Sequence, residues 1–321
     1  MRKVVKTVVM LFLVMNLSGC GMMMMQQQQQ QQNDFSEQQE PTSSDSNLSS
    51  DRGSELNSSE SFSTPERRIV SLIPSNTEII AALGLEEEIV GITTVDTYPE
   101  DLVNDPDVER LDAFEFDVEQ LMALEPTHIL SHESSYAVHG GVLEDAAAAT
   151  GAEVIFLEEV ETVDEIPETM MAAGGFLGAP DEASEAAAAF EADLAAVMEA
   201  APDRGTVFLQ VSSGPEMYTT GRGTFLHDVI EKAGAENIFK DLEGFVSVSY
   251  EEILDRNPDY IISASGADAE QLSKEVENFR GVDNLSIQSE DRQCAVDPDI
   301  LTRPGPRITQ GMTELSECLE N

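Results

Sequence analysis

Two histidines seven residues apart, His132 and His139, with Glu133 beside the first, are the side chains whose type and spacing come nearest to metal chemistry. A neutral imidazole can take an axial position on iron or cobalt, so either histidine is a candidate axial ligand. A bare zinc or manganese ion needs three or four converging donors, and these three residues supply only part of a set. His128 opens an apolar run and His227 sits among apolar helix neighbours, positions that favour packing. Thiol chemistry is limited to three cysteines. Cys294 and Cys318 form no C-x-x-C pair, so redox catalysis is not expected. In an oxidising compartment the two are expected to form a disulfide, two buried free thiols being the alternative. The chain has no G-x-S-x-G and no H-E-x-x-H, and "TGRGT" lacks the Gly-Lys-Ser/Thr of a phosphate loop. With 62 Asp and Glu, adjacent carboxylates carry no information about acid–base catalysis.

Cys20 has a different setting. Arg2, Lys3 and Lys6 precede the apolar run Val8 to Val14, and small residues Ser18 and Gly19 precede the cysteine. That is the layout of an export signal, and the apolar run is shorter than the ~20 residues of a membrane span. Leu17-Ser18-Gly19-Cys20 resembles the lipobox of bacterial lipoproteins, which implies cleavage before Cys20 and lipidation of its thiol. Acyl chains anchor by burying methylenes, about 0.8 kcal/mol each. From Gly21 to Glu66 the chain is Met, Gln, Ser, Asn and acidic residues, too poor in apolar side chains to offset the entropy of ordering. This reads as a disordered tether with a mean reach of about 35–40 Å. The formal net charge is −45, with 17 Lys and Arg. Such a field disfavours nucleic acid and anionic lipid surfaces as partners. It suits a salty exterior, where screening moderates self-repulsion.

Beyond residue 67 the hydrophobic pattern alternates. "RIVSLI", "IVGIT", "THILS" and "EVIFLE" read as strands, separated by helical "NTEIIAALGL", "DVEQLMALEP" and "GGVLEDAAAATG". Val163 to Ala201 carries no strand signal, and its Ala- and Glu-rich part after Pro180, capped by Asp181, reads as one long helix. Alternation then resumes through "TVFLQVS", "TFLHDVIEKAG", "SYEEILDRNP", "YIISAS", "DAEQLSKEV", "QCAV" and "PRITQGMTELSECL". The expected fold class is α/β, with two parallel-sheet lobes joined by a single long helix. The segments are a signal over 1–19, lipidated cysteine and tether over 20–66, lobes over 67–162 and 204–321, and a helical connection over 163–203.

These elements carry motifs that resemble a known family. "RIVSLIPSNTEIIAALGLEEEIVGIT", "VDTYPEDL", "FDVEQLMALEPTHIL", "GAENIFKDLEGFVSVSYEEILDRNPDYIIS" and "RPGPRITQGMTEL" together resemble the helical-backbone solute-binding proteins of ABC importers. That family carries vitamin B12, ferric siderophores and haem, and the likeness is closest to its vitamin B12-binding branch. Two departures stand out: Ala233 occupies a position where that branch has a cysteine, and the chain has no tryptophan to wall a corrin ring.

The resemblance implies a non-enzymatic receptor with no intrinsic cofactor, acting as a monomer outside the cytoplasm on a lipid anchor. Its partners would be the membrane subunits of an importer and a small metal-chelate, a cobalt corrinoid or else an iron siderophore or haem. Chelatase-type enzymes share a related two-lobe plan and are the alternative of another class. The ligand would lie in a cleft between lobes, touched by loops that follow strands. Those loops nominate Pro74, Ser75, Tyr98, His132, Tyr136, Met217, Tyr218, Phe245 and Arg303. One acid per lobe, Glu119 and Glu251, would pair with arginines of the transporter, with Glu252 separated from Glu251 only by register.

Overall fold

The computed structural model describes residues 67–201, 204–212, 217–278 and 286–320. The expected signal, Cys20 and the tether lie outside the described residues, as do 202–203 at the end of the expected connection. In the first lobe the chain runs β1 (Ile69–Ser71), α1 (Pro74–Ala82), β2 (Ile89–Thr93), α2 (Glu100–Val103), β3 (Glu109–Leu111), α3 (Val118–Ala123), β4 (His128–His132), α4 (Tyr136–Thr150) and β5 (Glu153–Leu157). All its strands are parallel, in the order β3-β2-β1-β4-β5. Two helices follow, α5 (Ile166–Leu177) and α6 (Pro180–Glu199). The second lobe contains β6 (Thr206–Gln210), β7 (Met217–Thr220), α7 (Phe225–Lys232), β8 (Glu236–Asn237), β9 (Phe245–Val248), α8 (Tyr250–Arg256), β10 (Tyr260–Ser263), α9 (Ala269–Glu277), β11 (Gln293–Ala295), α10 (Pro298–Leu301) and α11 (Ile308–Cys318). Its parallel sheet has the order β11-β10-β6-β8, and β7 and β9 form a separate antiparallel ribbon.

Strand alternation sends successive side chains to opposite faces, and this builds the core. Ile69, Ile92, Leu130, Val207, Leu209 and Ile262 share one buried cluster with Met170, Leu177, Phe190 and Leu194 of α5 and α6. Their neighbours Val70 and Ile129 join a second cluster on the far face of the first sheet. Phe208 and Ile261 join a third on the far face of the second sheet. Both lobes therefore press one face into a common apolar core through the connecting helices. Opening them widely would expose that core to water at about 25 cal/mol per Å² of apolar surface. Gly174 permits the closest approach, since a Cβ there would stand 2.3 Å from the Ala183 Cβ across the α5–α6 contact.

Local chemistry sets the element ends. Pro74 begins α1, where its lack of a backbone N–H costs no helical hydrogen bond. Gly84, at φ +71°, takes the left-handed turn after it. The long helix α6 is capped by Ala179 rather than Asp181, because Pro180 pre-sets the first helical residue; Asp181 and Glu182 fall in the first turn, where the dipole favours acids. α4 begins at Tyr136, a turn earlier than the Gly-Gly pair suggests, so Tyr136 and His139 stand on a helix and not in a loop. Strands β3 and β9 have no clear counterpart in the hydrophobic pattern, since each is short and half-exposed.

Cys294 on β11 and Cys318 at the end of α11 are joined by a disulfide, with Cα atoms 5.8 Å apart. The two are 24 residues apart in sequence, and closing a loop of that size stabilises by about 3–3.5 kcal/mol in the chain-entropy account. Reduction is expected to lower the urea midpoint accordingly, measured with and without a thiol reductant. An unchanged midpoint would mean that the bridge contributes nothing.

Candidate ligand cleft

Parallel strands deliver their following loops to one edge, and at that edge the two lobes meet. The loop after β2 holds Val95, Thr97 and Tyr98, and the segment after β11 holds Asp299, Arg303 and Arg307. Thr97 Oγ1 donates to Asp299 at 2.7 Å, and Arg303 donates to Thr97 Oγ1 at 2.9 Å and to the Val95 carbonyl at 3.2 Å. Arg303 also pairs with Asp299 at 2.7 Å and lies 3.5 Å from Glu78 on α1. Arg307 pairs with the same Glu78 oxygen at 2.6 Å and stacks its guanidinium 4.2 Å from the centroid of the Tyr98 ring. Gly305 lies over the first turn of α1, where a Cβ would stand 3.2 Å from Glu78 Oε2 and 3.6 Å from the Ser75 Cβ. Burial pushes the Glu78 carboxyl up, opposed by Arg307 and Arg303. Asp96 is raised by burial too, although Thr93 donates to it from N and Oγ1.

The expected site residues fall into several settings. Pro74 and Ser75 form the first turn of α1 at the meeting edge, with Ser75 buried. Tyr98, 40% exposed, and Arg303 belong to the network just described. Tyr136 is 50% exposed, donates to Glu144 at 2.9 Å and rests edge-on against Phe156. Met217 is buried in the second lobe's outer cluster, which removes it from ligand contact; it packs there because β7 folds back along β6. Tyr218 and Phe245 are half-buried against the common core. The ribbon register pairs Val248 with Met217 and Phe245 with Thr220, so Phe245 lies at the end away from the turn that follows β6. The exposed ring of Tyr250 lies past the opposite end, just after Val248.

His132 is built into the first lobe. Its Nδ1 lies 2.7 Å from Ser134 Oγ and accepts from the Ser134 N–H, and the ring also bonds to the Glu158 main chain. These bonds hold the ring within the first lobe, and its burial leaves little of it open to a ligand. His139 packs against the Phe116 ring at 4.5 Å, and no group of three or more His, Cys, Asp or Glu among the described residues is placed to hold a metal. Glu119 and Glu251 are each the second residue of their helix, α3 and α8, and both are exposed. Glu252 instead accepts from Ser249 N at 2.8 Å in a capping box.

Sequence reasoning missed Glu78, Thr97, Asp299 and Arg307. Glu78 had one signal, an acid among apolar neighbours on a short helix. It also missed Phe114, an exposed ring after β3 held out by a turn in which Phe114 N and Glu115 N donate to Asp112.

The family model described as periplasmic binding protein matches residues 69–286, most of the chain. The chain belongs to that family. An ABC transporter substrate-binding lipoprotein of Bacillus subtilis, itself uncharacterised, is 34% identical over 79% of this chain and 80% of its own length. The vitamin B12-binding protein of Salmonella typhimurium is 28% identical over 62% of this chain and 73% of its own length. A solved structure described as a possible iron-binding, periplasmic solute-binding protein from Staphylococcus epidermidis is 35% identical, with TM-score 0.72, covering 79% of this chain and 99% of that one. All three are described by what they bind: a transporter substrate, vitamin B12, and possibly iron.

In this periplasmic binding protein the neutral state of His132 is a source of pH dependence. Burial holds its imidazole below the ordinary value. The unfolded chain therefore takes up the proton first, and this group's contribution is present at neutral pH and lost as pH falls below about 6.5. Comparison with His132→Asn, whose Oδ1 can replace Nδ1 as acceptor, isolates it from the opposing Glu78 and Asp96. The wild type is expected to lose up to about 1.4 kcal/mol per pH unit more than the variant between pH 6.5 and 5. Parallel pH profiles of the two would refute it.

Proposed function

We propose that this protein is a lipid-anchored extracytoplasmic receptor that delivers a metal-chelate, a corrinoid first among them, to an ABC importer. The observation that carries the reading is the direct meeting, through Thr97, Asp299 and Arg303, of loops from the ends of two separate parallel sheets. In α/β folds such edges are where ligands bind. The B12-binding relative supports the corrinoid, and exposed Tyr98, Phe114 and Tyr136 supply flat apolar contact without tryptophan. The possible iron-binding structure, at higher identity, supports the second reading, a ferric chelate in the same cleft.

The paired placement of Glu119 and Glu251 at equivalent helix positions suits two-point docking on basic loops of a permease. Cys20 and its tether keep the receptor near that permease and raise its effective concentration there. The common core of the two lobes suits a receptor that closes little on its ligand. Calorimetric titration of the full chain with cyanocobalamin, a ferric hydroxamate and haem, in high salt, tests the function. Saturable one-to-one binding of one of them at micromolar affinity or better is expected; no binding of any would sink the receptor reading.

A further inference from the structure

Cations are scarce in this chain, and the described ones are almost all committed inside the fold. Arg67 pairs with Glu88, Arg68 donates to the Leu124 carbonyl, and Arg110 donates to the carbonyls of Val103 and Asp96. Arg204 is turned onto main-chain carbonyls, and Arg292 covers the Tyr260 ring. Lys232, Lys240, Arg256 and Lys274 each pair with an acid. Arg222 follows β7, which runs back along β6, so it points to the edge of the second sheet away from the cleft. Among the described residues only Arg303 and Arg307 bring positive charge to the edge where the lobes meet.

Those two are already neutralised. Arg303 spends its donors on Asp299, Thr97 Oγ1 and the Val95 carbonyl, and Arg307 on Glu78, with its face on Tyr98. The same edge collects acids without matching cations. Asp112 and Glu115 follow β3, Glu133 follows β4, Asp268 follows β10, and Asp297 follows β11. A cleft walled by one sign of charge focuses the field inside it. An arriving anion meets that repulsion and finds, among the described residues, no unpaired guanidinium to offset it.

We infer that the cleft selects metal-chelates of zero or positive net charge and rejects anionic ones. The inference rests on the receptor reading above and narrows its ligand class. Neutral and cationic corrinoids and uncharged or cationic iron hydroxamates fit. Haem with two ionised propionates and tris-catecholate iron complexes do not.

The test compares ligands that differ in charge and not in frame. Cyanocobalamin and its mono- and dicarboxylate derivatives, each made by hydrolysing a side-chain amide, are titrated into the full chain in 0.15 M and 2 M sodium chloride. An iron hydroxamate bearing a free amine and its succinylated form are run alongside. Each added negative charge is expected to weaken binding by about five- to tenfold at the lower salt. That ratio should shrink to below about twofold at the higher salt, where the screening length is about 2 Å. Asp299→Asn, which frees the charge of Arg303, should narrow the ratio at low salt. Equal or tighter binding of the carboxylate or succinylated forms would overturn the inference and leave the receptor reading intact. Binding of none of the ligands in any charge state would remove the receptor reading, and the inference with it.

Discussion

Replacing Glu78 by alanine is expected to lower the unfolding free energy by about 3–5 kcal/mol, the usual cost of breaking a buried ion pair. In a body of this size that corresponds to a fall in Tm of roughly 10 °C. Glu78 is 2% exposed and lies between the guanidinium groups of Arg307 and Arg303. Its removal leaves two partly buried cations with one remaining partner, Asp299, and opens a gap beneath Gly305. Glu78→Gln keeps an acceptor and the shape, so it should cost less. In the double variant Glu78→Ala with Arg307→Met the unpaired charge is gone, and part of the loss should return. Urea unfolding of the wild type, Glu78→Ala, Glu78→Gln, Arg307→Met and the double variant measures the coupling. A loss below about 1 kcal/mol in Glu78→Ala, or strict additivity in the double variant, would show that the lobes do not depend on this pair.

Lowering sodium chloride from 2 M to 0.1 M should cost more still, on the order of 10 °C or more in Tm. A formal charge of −45 on one chain repels itself most when folded, and the described cations that could offset it are engaged locally. Screening shortens from ~10 Å at 0.1 M to ~3 Å at 1 M, a change that spans typical distances between surface carboxylates. Potassium and choline chlorides at equal ionic strength should act alike if screening is the cause. A Tm that is flat or falls with salt would refute the argument.

Much of the architecture was legible because it is periodic. Val70, Ile92, Ile129, Leu130, Phe208 and Ile262 sit in short runs buried on both faces, the signature of parallel strands between helices. Half-exposed β9 escaped notice because its pattern is that of a loop. The cleft was legible only in part. Counting loops after strands nominated Tyr98 and Arg303, which stand at the edge where the lobes meet, and also Met217, which the fold turns inward, and Phe245, which register carries to the far end of the ribbon. A nomination by loop position cannot see which way an antiparallel strand returns.

The sequence by itself determined the alternation of strands and helices, the helical character of the connection, the class of the chain and its excess of acid, because each is a local or additive property of composition and spacing. That the connection is two helices and not one long helix came from the structure. Only the tertiary structure decided that Glu78 meets Arg307 across 229 residues and that Thr97 meets Asp299 across 202. Pairings of that range leave no periodic trace. They exist because two sheets point their loops at one another, and the same meeting pairs Arg303 and Arg307 with acids.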